Sequence, residues 1–220
     1  MTKHPASSSS LLTNSDQSAR GVRESAAMAG EPQIKGLSTR SVFQALTTLR
    51  GEHVASEVVE HLIGQQNTRE FGEALHFGGV VASTWYPLAW HAQLMRAIRH
   101  VTGEGPELVW ALGRQSTASD LSTVHKIFLG LLAPHTVLNI SPRLFGSYYD
   151  TGAVEVMEAR KGFGRVEWRG CRGFDSNLWT EILGGCEALL DASGAKRIQI
   201  DRLQGGGNNQ DFMRASASWE

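Results

Sequence analysis

The sequence predicts an α+β domain, an N-terminal helical half packed on a small antiparallel sheet with one crossing helix. Three observations carry this. Apolar residues recur at helical spacing from Val42 to Leu144, then switch to alternation from about Ser147 onward. The helical and extended stretches are segregated along the chain, which argues against a doubly wound sheet. Residues 1 to about 33 are rich in Ser, Ala, Gly, Gln and charge and contain no aromatic residue, so they cannot offset the entropy of ordering. The expected organisation is a disordered Ser-rich tail over 1–33 and a single α+β domain over 34–220.

The elements follow in order. Over 38–51, Ser38 or Thr39 offers an N-cap, Val42, Leu46 and Leu49 form one stripe, and Gly51 ends the helix. A second helix carries Val54, Val58 and Leu62 and stops at Gly64, and a short third covers Thr68 to His76. In WYPLAWHAQLMRAIRHVTG, Pro87 suits a first helical turn, Trp90, Leu94, Ala97, Ile98 and Val101 form the stripe, and Gly103 closes it. Residues 106–119 predict a weaker helix. Leu121 to Leu132 predicts a central buried one ending at Pro134, and His135 to Leu144 a last helix of this half. SYYDTGAVEVMEA then reads as strand, turn, strand around Asp150-Thr151-Gly152, and GRVEWRG as a third strand. Phe174 to Ser193 is the crossing helix. Gly184-Gly185 weakens it by about 1 kcal/mol per glycine but permits close approach of a neighbour. AKRIQIDRL and DFMRASASW close the chain as two strands.

Bulk composition narrows the function. A domain of about 185 residues buries roughly 70% of its unfolded surface and needs no disulfide or metal. Lys+Arg is 21 against Asp+Glu 22, so the basic excess of a nucleic-acid binder is missing. Cys171 and Cys186 form no CxxC and read as free thiols. No apolar run reaches the length of a membrane span, and MTKHPASSSSLL lacks a signal-peptide core, so the expected location is cytoplasmic.

Chemical signatures are sparse. His91 and His100 are half a turn out of phase on their helix, and His53 and His61 lie two turns apart; all four read as partly exposed helix residues, with no metal site. There is no GxSxG elbow, and Ser147 has no histidine downstream because His135 is the last. Gly162-Phe163-Gly164 and Gly205 to Gly207 read as hairpin turns, not phosphate cradles. No catalytic residue and no cofactor are assigned. Six tryptophans, each able to bury on the order of 200 Å², suit a hydrophobic core, an apolar pocket or a dimer interface.

The phrases IKGL (34–37), WYPLAW (85–90), PRLF (142–145) and YYDTGAVEV (148–156), with the closing hairpin ending at Trp219, resemble an uncharacterised paralogous family best represented in myxobacteria. In layout that family is similar to haem-nitric-oxide-binding domains, vinyl-reductase-type domains and TRAPP-type subunits. The resemblance implies a helical half cupping a small sheet, often with an apolar ligand between them, and frequent dimerisation. It implies no reaction. The haem-binding relatives hold propionates with a Tyr-x-Ser-x-Arg motif; the matching residues here are Val156, Glu158 and Arg160, and only the arginine remains. His125 and His135 are the nearest axial candidates and fall out of register, so haem is not expected.

Three readings follow, in this order. The first is a non-catalytic signalling or regulatory module binding a small apolar ligand, with Trp90, Leu94, Phe128, Leu132 and Arg160 as pocket residues. The second is a homodimeric or adaptor module whose partner is a protein. The third is an enzyme of unrecognised type.

Overall fold

The computed structural model describes residues 30–121 and 132–220, and Pro32–Glu220 form one compact unit. The fold is α+β, as expected. It begins with a feature that periodicity did not show. Strand β1 (Gln33–Lys35) pairs antiparallel with β2 (Trp85–Pro87). Three residues each are too few for alternation to register. Each strand runs directly into a helix, β1 into α1 (Gly36–Gly64) and β2 into α3 (Leu88–Thr102). Gly36 sits at the turn from ribbon to helix, where a Cβ would overlap the Val81 carbonyl.

Helix α1 bears out one expectation and corrects another. The stretches read as separate helices are two helical segments that join at Gly51, whose φ of 88° and ψ of 164° are non-helical. Its N-cap is Lys35, without a side-chain capping bond, so Ser38 and Thr39 lie inside the helix and are buried. Helix α2 (Arg69–His76) packs back on α1, and α4 (Pro106–Asp120) starts with proline at its first turn. The helix expected over 121–132 lies, from 122 to 131, outside the described residues. Helix α5 (Pro134–Tyr148) begins at the proline expected to end its predecessor and runs past Leu144 through an internal Pro142. Ser147 and Tyr148, read as a strand, form its last turn. The Tyr149 amide still donates to Phe145, whose ring stacks on Tyr149 at 4.7 Å, an i,i+4 pair that overrides the β preference of tyrosine. Tyr149 then touches the first ribbon through a single bridge to Ile34.

Four strands make the main sheet: β3 (Ala153–Arg160), β4 (Phe163–Arg169), β5 (Gln199–Gly205) and β6 (Met213–Ser218), all antiparallel in the order β3-β4-β6-β5. The GxG stretch is the β3–β4 turn, with Gly162 at φ 76°. Helix α6 (Ser176–Ala192), capped by the Asp175 carboxylate, links β4 to β5. One sheet face, with Val166, Trp168, Met213 and Ala215, shares a core with Leu138 and Phe145 of α5 and Leu178, Trp179 and Leu183 of α6. Glu167, Arg169 and Arg214 stand on the other face. There Glu167 accepts from Arg214 Nε at 2.7 Å and pairs with Arg169.

A second apolar cluster joins α1, α2, α3 and α4. The two clusters meet along α4 and α6, which approach backbone to backbone. A Cβ at Gly113 would overlap the Glu181 carbonyl, one at Gly184 the Trp110 carbonyl, and one at Gly185 would press on Thr117 Oγ1 at 2.8 Å. The glycine pair read as permitting close approach does so.

Candidate functional site

Where the helical half meets the sheet there is a half-open cavity of about 140 Å³. Its apolar wall includes Leu144, Phe145, Val154, Trp168, Ile182 and Leu189. Its polar groups are Ser38, Ser116, Thr117, Asp120, Ser141, Tyr148, Tyr149 and Glu181. No lysine, arginine or histidine is among the described lining residues.

The hydroxyls at the start of α1 organise these polar groups. Ser41 donates to Asp120 at the last residue of α4. Tyr148 also hydrogen-bonds Asp120, and Ser38 hydrogen-bonds Tyr149. Burial pushes the Asp120 carboxyl above the usual range, with the Glu181 charge adding to it and the Ser41 and Tyr148 bonds opposing it. Burial and the Asp120 charge push Tyr148 up to about 12, so it stays a phenol and a donor. Burial likewise raises the Cys186 thiol to about 12, too high for a reactive thiolate at neutral pH.

The third hydroxyl, Thr39, lies 3.1 Å from His91 Nδ1, and His91 Nε2 lies 2.8 Å from Glu181 Oε2. With its proton on Nε2 the ring donates to the carboxylate and accepts from Thr39. This hydroxyl–imidazole–carboxylate chain has the connectivity of a nucleophile triad. Thr39 is 2% exposed and His91 0%, and neither lines the cavity, so a molecule there meets Glu181 alone. The expectation that His91 is partly exposed is therefore corrected. It is the hydrogen-bond partner that allows Glu181, itself 5% exposed, to be buried.

Of the pocket residues read from the sequence, the four that are described, Trp90, Leu94, Leu132 and Arg160, do not line this cavity. Trp90 stacks between Phe71 and Tyr86, and Leu94 lies in the core of the helical cluster. Both occupy the stripe that packs α3 on α1 and α2. Arg160 ends β3 on the surface, bonded to Glu158 at 2.8 Å and lying over Phe163. Leu132 is partly buried and does not line the cavity; Phe128 lies outside the described residues. The cavity residues escaped the sequence reading because they sit at the junction of α4, α5, α6 and the sheet, which no single-helix stripe reveals. The available signal was the polar triplet Ser38, Thr39 and Ser41 on the same helix as Val42 and Leu46.

No family model matches the chain, and no curated protein matches it. Solved structures do. An Fe(II) unliganded H-NOX protein variant from K. algicida superposes with a TM-score of 0.63 at 14% identity, covering 85% of this chain and 97% of that one. A T. tengcongensis H-NOX variant gives 0.62 at 13% identity over 85% and 98%. An oxygen-binding H-NOX domain related to soluble guanylate cyclases gives 0.58 at 14% identity over 85% and 95%. The fold is H-NOX-like.

At this identity the likeness establishes architecture and no more. Haem is the group an H-NOX-like fold implies, and the described residues do not fit it. A cavity of about 140 Å³ suits a benzene-sized guest, and even an ordinary drug-sized ligand takes roughly 300–1,000 Å³. Among the described residues the wall offers no histidine as an axial donor (His135 does not line it and His125 lies outside the described residues), and its cysteine and Tyr148 are held protonated. Among the described residues no arginine lines it to pair with propionates. Among the described residues no cluster of three His, Cys, Asp or Glu side chains is placed to hold a metal ion, and no helix is long and apolar enough to cross a membrane.

Proposed function

We propose that this chain is a non-catalytic signalling or regulatory module that takes one small apolar molecule between its helical half and its sheet. The observation that carries the reading is the cavity of about 140 Å³ with a mostly apolar wall, at the junction of α4, α5, α6 and the sheet. Its size matches cavities that hold a single benzene-sized guest. The H-NOX-like fold supports it by analogy, since an oxygen complex is known for one structure of this layout. The phrases from IKGL to the Trp219 hairpin further support membership of the myxobacterial-type paralogous family.

Toluene tests the reading directly. At ten times its Kd it contributes about 1.4 kcal/mol of stability, which raises Tm by roughly 3–6 °C for a chain of this size. Leu144→Trp fills the space and abolishes the rise. A wild-type melting curve unmoved by toluene, together with native mass spectra of host-purified protein free of any bound organic molecule, defeats the reading.

A further inference from the structure

The cavity has a second property that an apolar guest does not use: its polar end is negative and, among the described residues, has no counter-charge. Asp120 is the last residue of α4, where unpaired helix carbonyls already carry partial negative charge. Its carboxylate accepts from Ser41 and Tyr148, both neutral donors, and no lysine or arginine forms an ion pair with it among the described residues. The second carboxylate on the wall, Glu181, is 5% exposed, and its partner His91 sits behind it, away from the cavity. A third group, the Ser141 hydroxyl, is on the same wall, fully shielded from solvent and without a hydrogen-bond partner among the described residues. A buried polar oxygen left unpaired costs free energy, and so does a desolvated anion without a cation.

We propose that the cavity selects a small primary amine with an apolar body, its ammonium group held at Asp120 and its hydrocarbon part against Leu144, Val154, Trp168 and Ile182. This rests on the reading of the cavity as a ligand site and adds the chemical class of the ligand. An ammonium group donates three hydrogen bonds. It thereby answers the uncompensated charge at Asp120 and leaves donors for Ser141 or Glu181. A neutral guest of the same size answers neither.

Three probes of nearly equal size separate the ideas: toluene, benzyl alcohol and benzylamine, titrated into the full chain at neutral pH and followed by calorimetry and amide NMR shifts. Benzylamine is expected to bind about tenfold more tightly than benzyl alcohol, the scale of one charge-assisted hydrogen bond. Asp120→Asn, which keeps an acceptor for Ser41 and Tyr148, is expected to lose that tenfold preference of benzylamine over benzyl alcohol. Toluene binding with benzylamine no tighter than benzyl alcohol overturns the amine proposal and leaves the apolar site standing. Failure of all three probes overturns both. The wild-type comparison decides the matter even if Asp120→Asn does not fold.

Discussion

Glu181 and His91 are each buried through the other. Replacing either one by alanine leaves a polar partner enclosed without its hydrogen bond. For Glu181→Ala or His91→Ala the expected loss is about 3 kcal/mol. The double replacement should cost well under the sum, because the second change removes a group already orphaned. Urea unfolding of the four proteins measures this, and strictly additive losses would show that the pair is not a unit. The burial of His91 had a signal in the sequence, although the residue was read as partly exposed. His91 falls three residues after Leu88 and four before Met95, on the stripe α3 buries, a position where an unpaired imidazole is expensive. Its partner was not legible, because 90 residues separate the two and only the α3–α6 packing joins them. Ser38 and Thr39 were read as caps because Ser and Thr before an apolar run usually are. Here the β1–β2 ribbon already leads the chain into the helix, which frees both hydroxyls for Tyr149 and His91.

At the level of elements, glycines in helices give two opposite expectations. Gly→Ala in a helix ordinarily adds up to about 1 kcal/mol through backbone entropy. Gly146 on α5 has nothing within 4 Å of its missing Cβ, so Gly146→Ala should stabilise by about that amount. Gly184 on α6 faces the Trp110 carbonyl, so Gly184→Ala must push α4 and α6 apart and should destabilise by about 1–3 kcal/mol despite the better propensity. Thermal melts of the two variants check the signs; stabilisation at Gly184 would mean the helices do not touch there. Helix α3, with its strong stripe, and the weaker α4 were both placed well from sequence because apolar spacing defines them. Errors gathered where a neighbour decides the outcome: the end of α5, prolonged by the Phe145–Tyr149 stack, and the three-residue ribbon, too brief to show a pattern.

For the molecule as a whole, two carboxylates push the acid response in opposite directions. Burial pushes Glu167 up, but the Arg214 bond and the charges of Arg169 and Arg214 outweigh it and hold it below the usual glutamate range. Its folded pKa being lower than the unfolded one, its contribution is present above the unfolded value and is lost as pH falls through the folded value. Asp120 is raised, so its charge opposes folding near neutrality and that penalty is relieved as pH falls through its folded value. Glu167→Gln should therefore flatten the acid loss of stability, whereas Asp120→Asn should raise the urea midpoint at about pH 7 and steepen the decline toward about pH 3. Equal midpoints for wild type and Asp120→Asn at neutral pH would contradict this. The α+β layering was readable because helices and strands are segregated along the chain. The cavity was not, since its wall exists only once α4, α5, α6 and the sheet have converged. The bend at Gly51 has a consequence of its own. It divides the 29-residue helix into a leading segment that carries all three organising hydroxyls and a trailing one that rests on α2. A local opening that begins in the trailing segment can stop at the bend, so the outer corner of the protein can breathe while the anchored end keeps its grip on the interior.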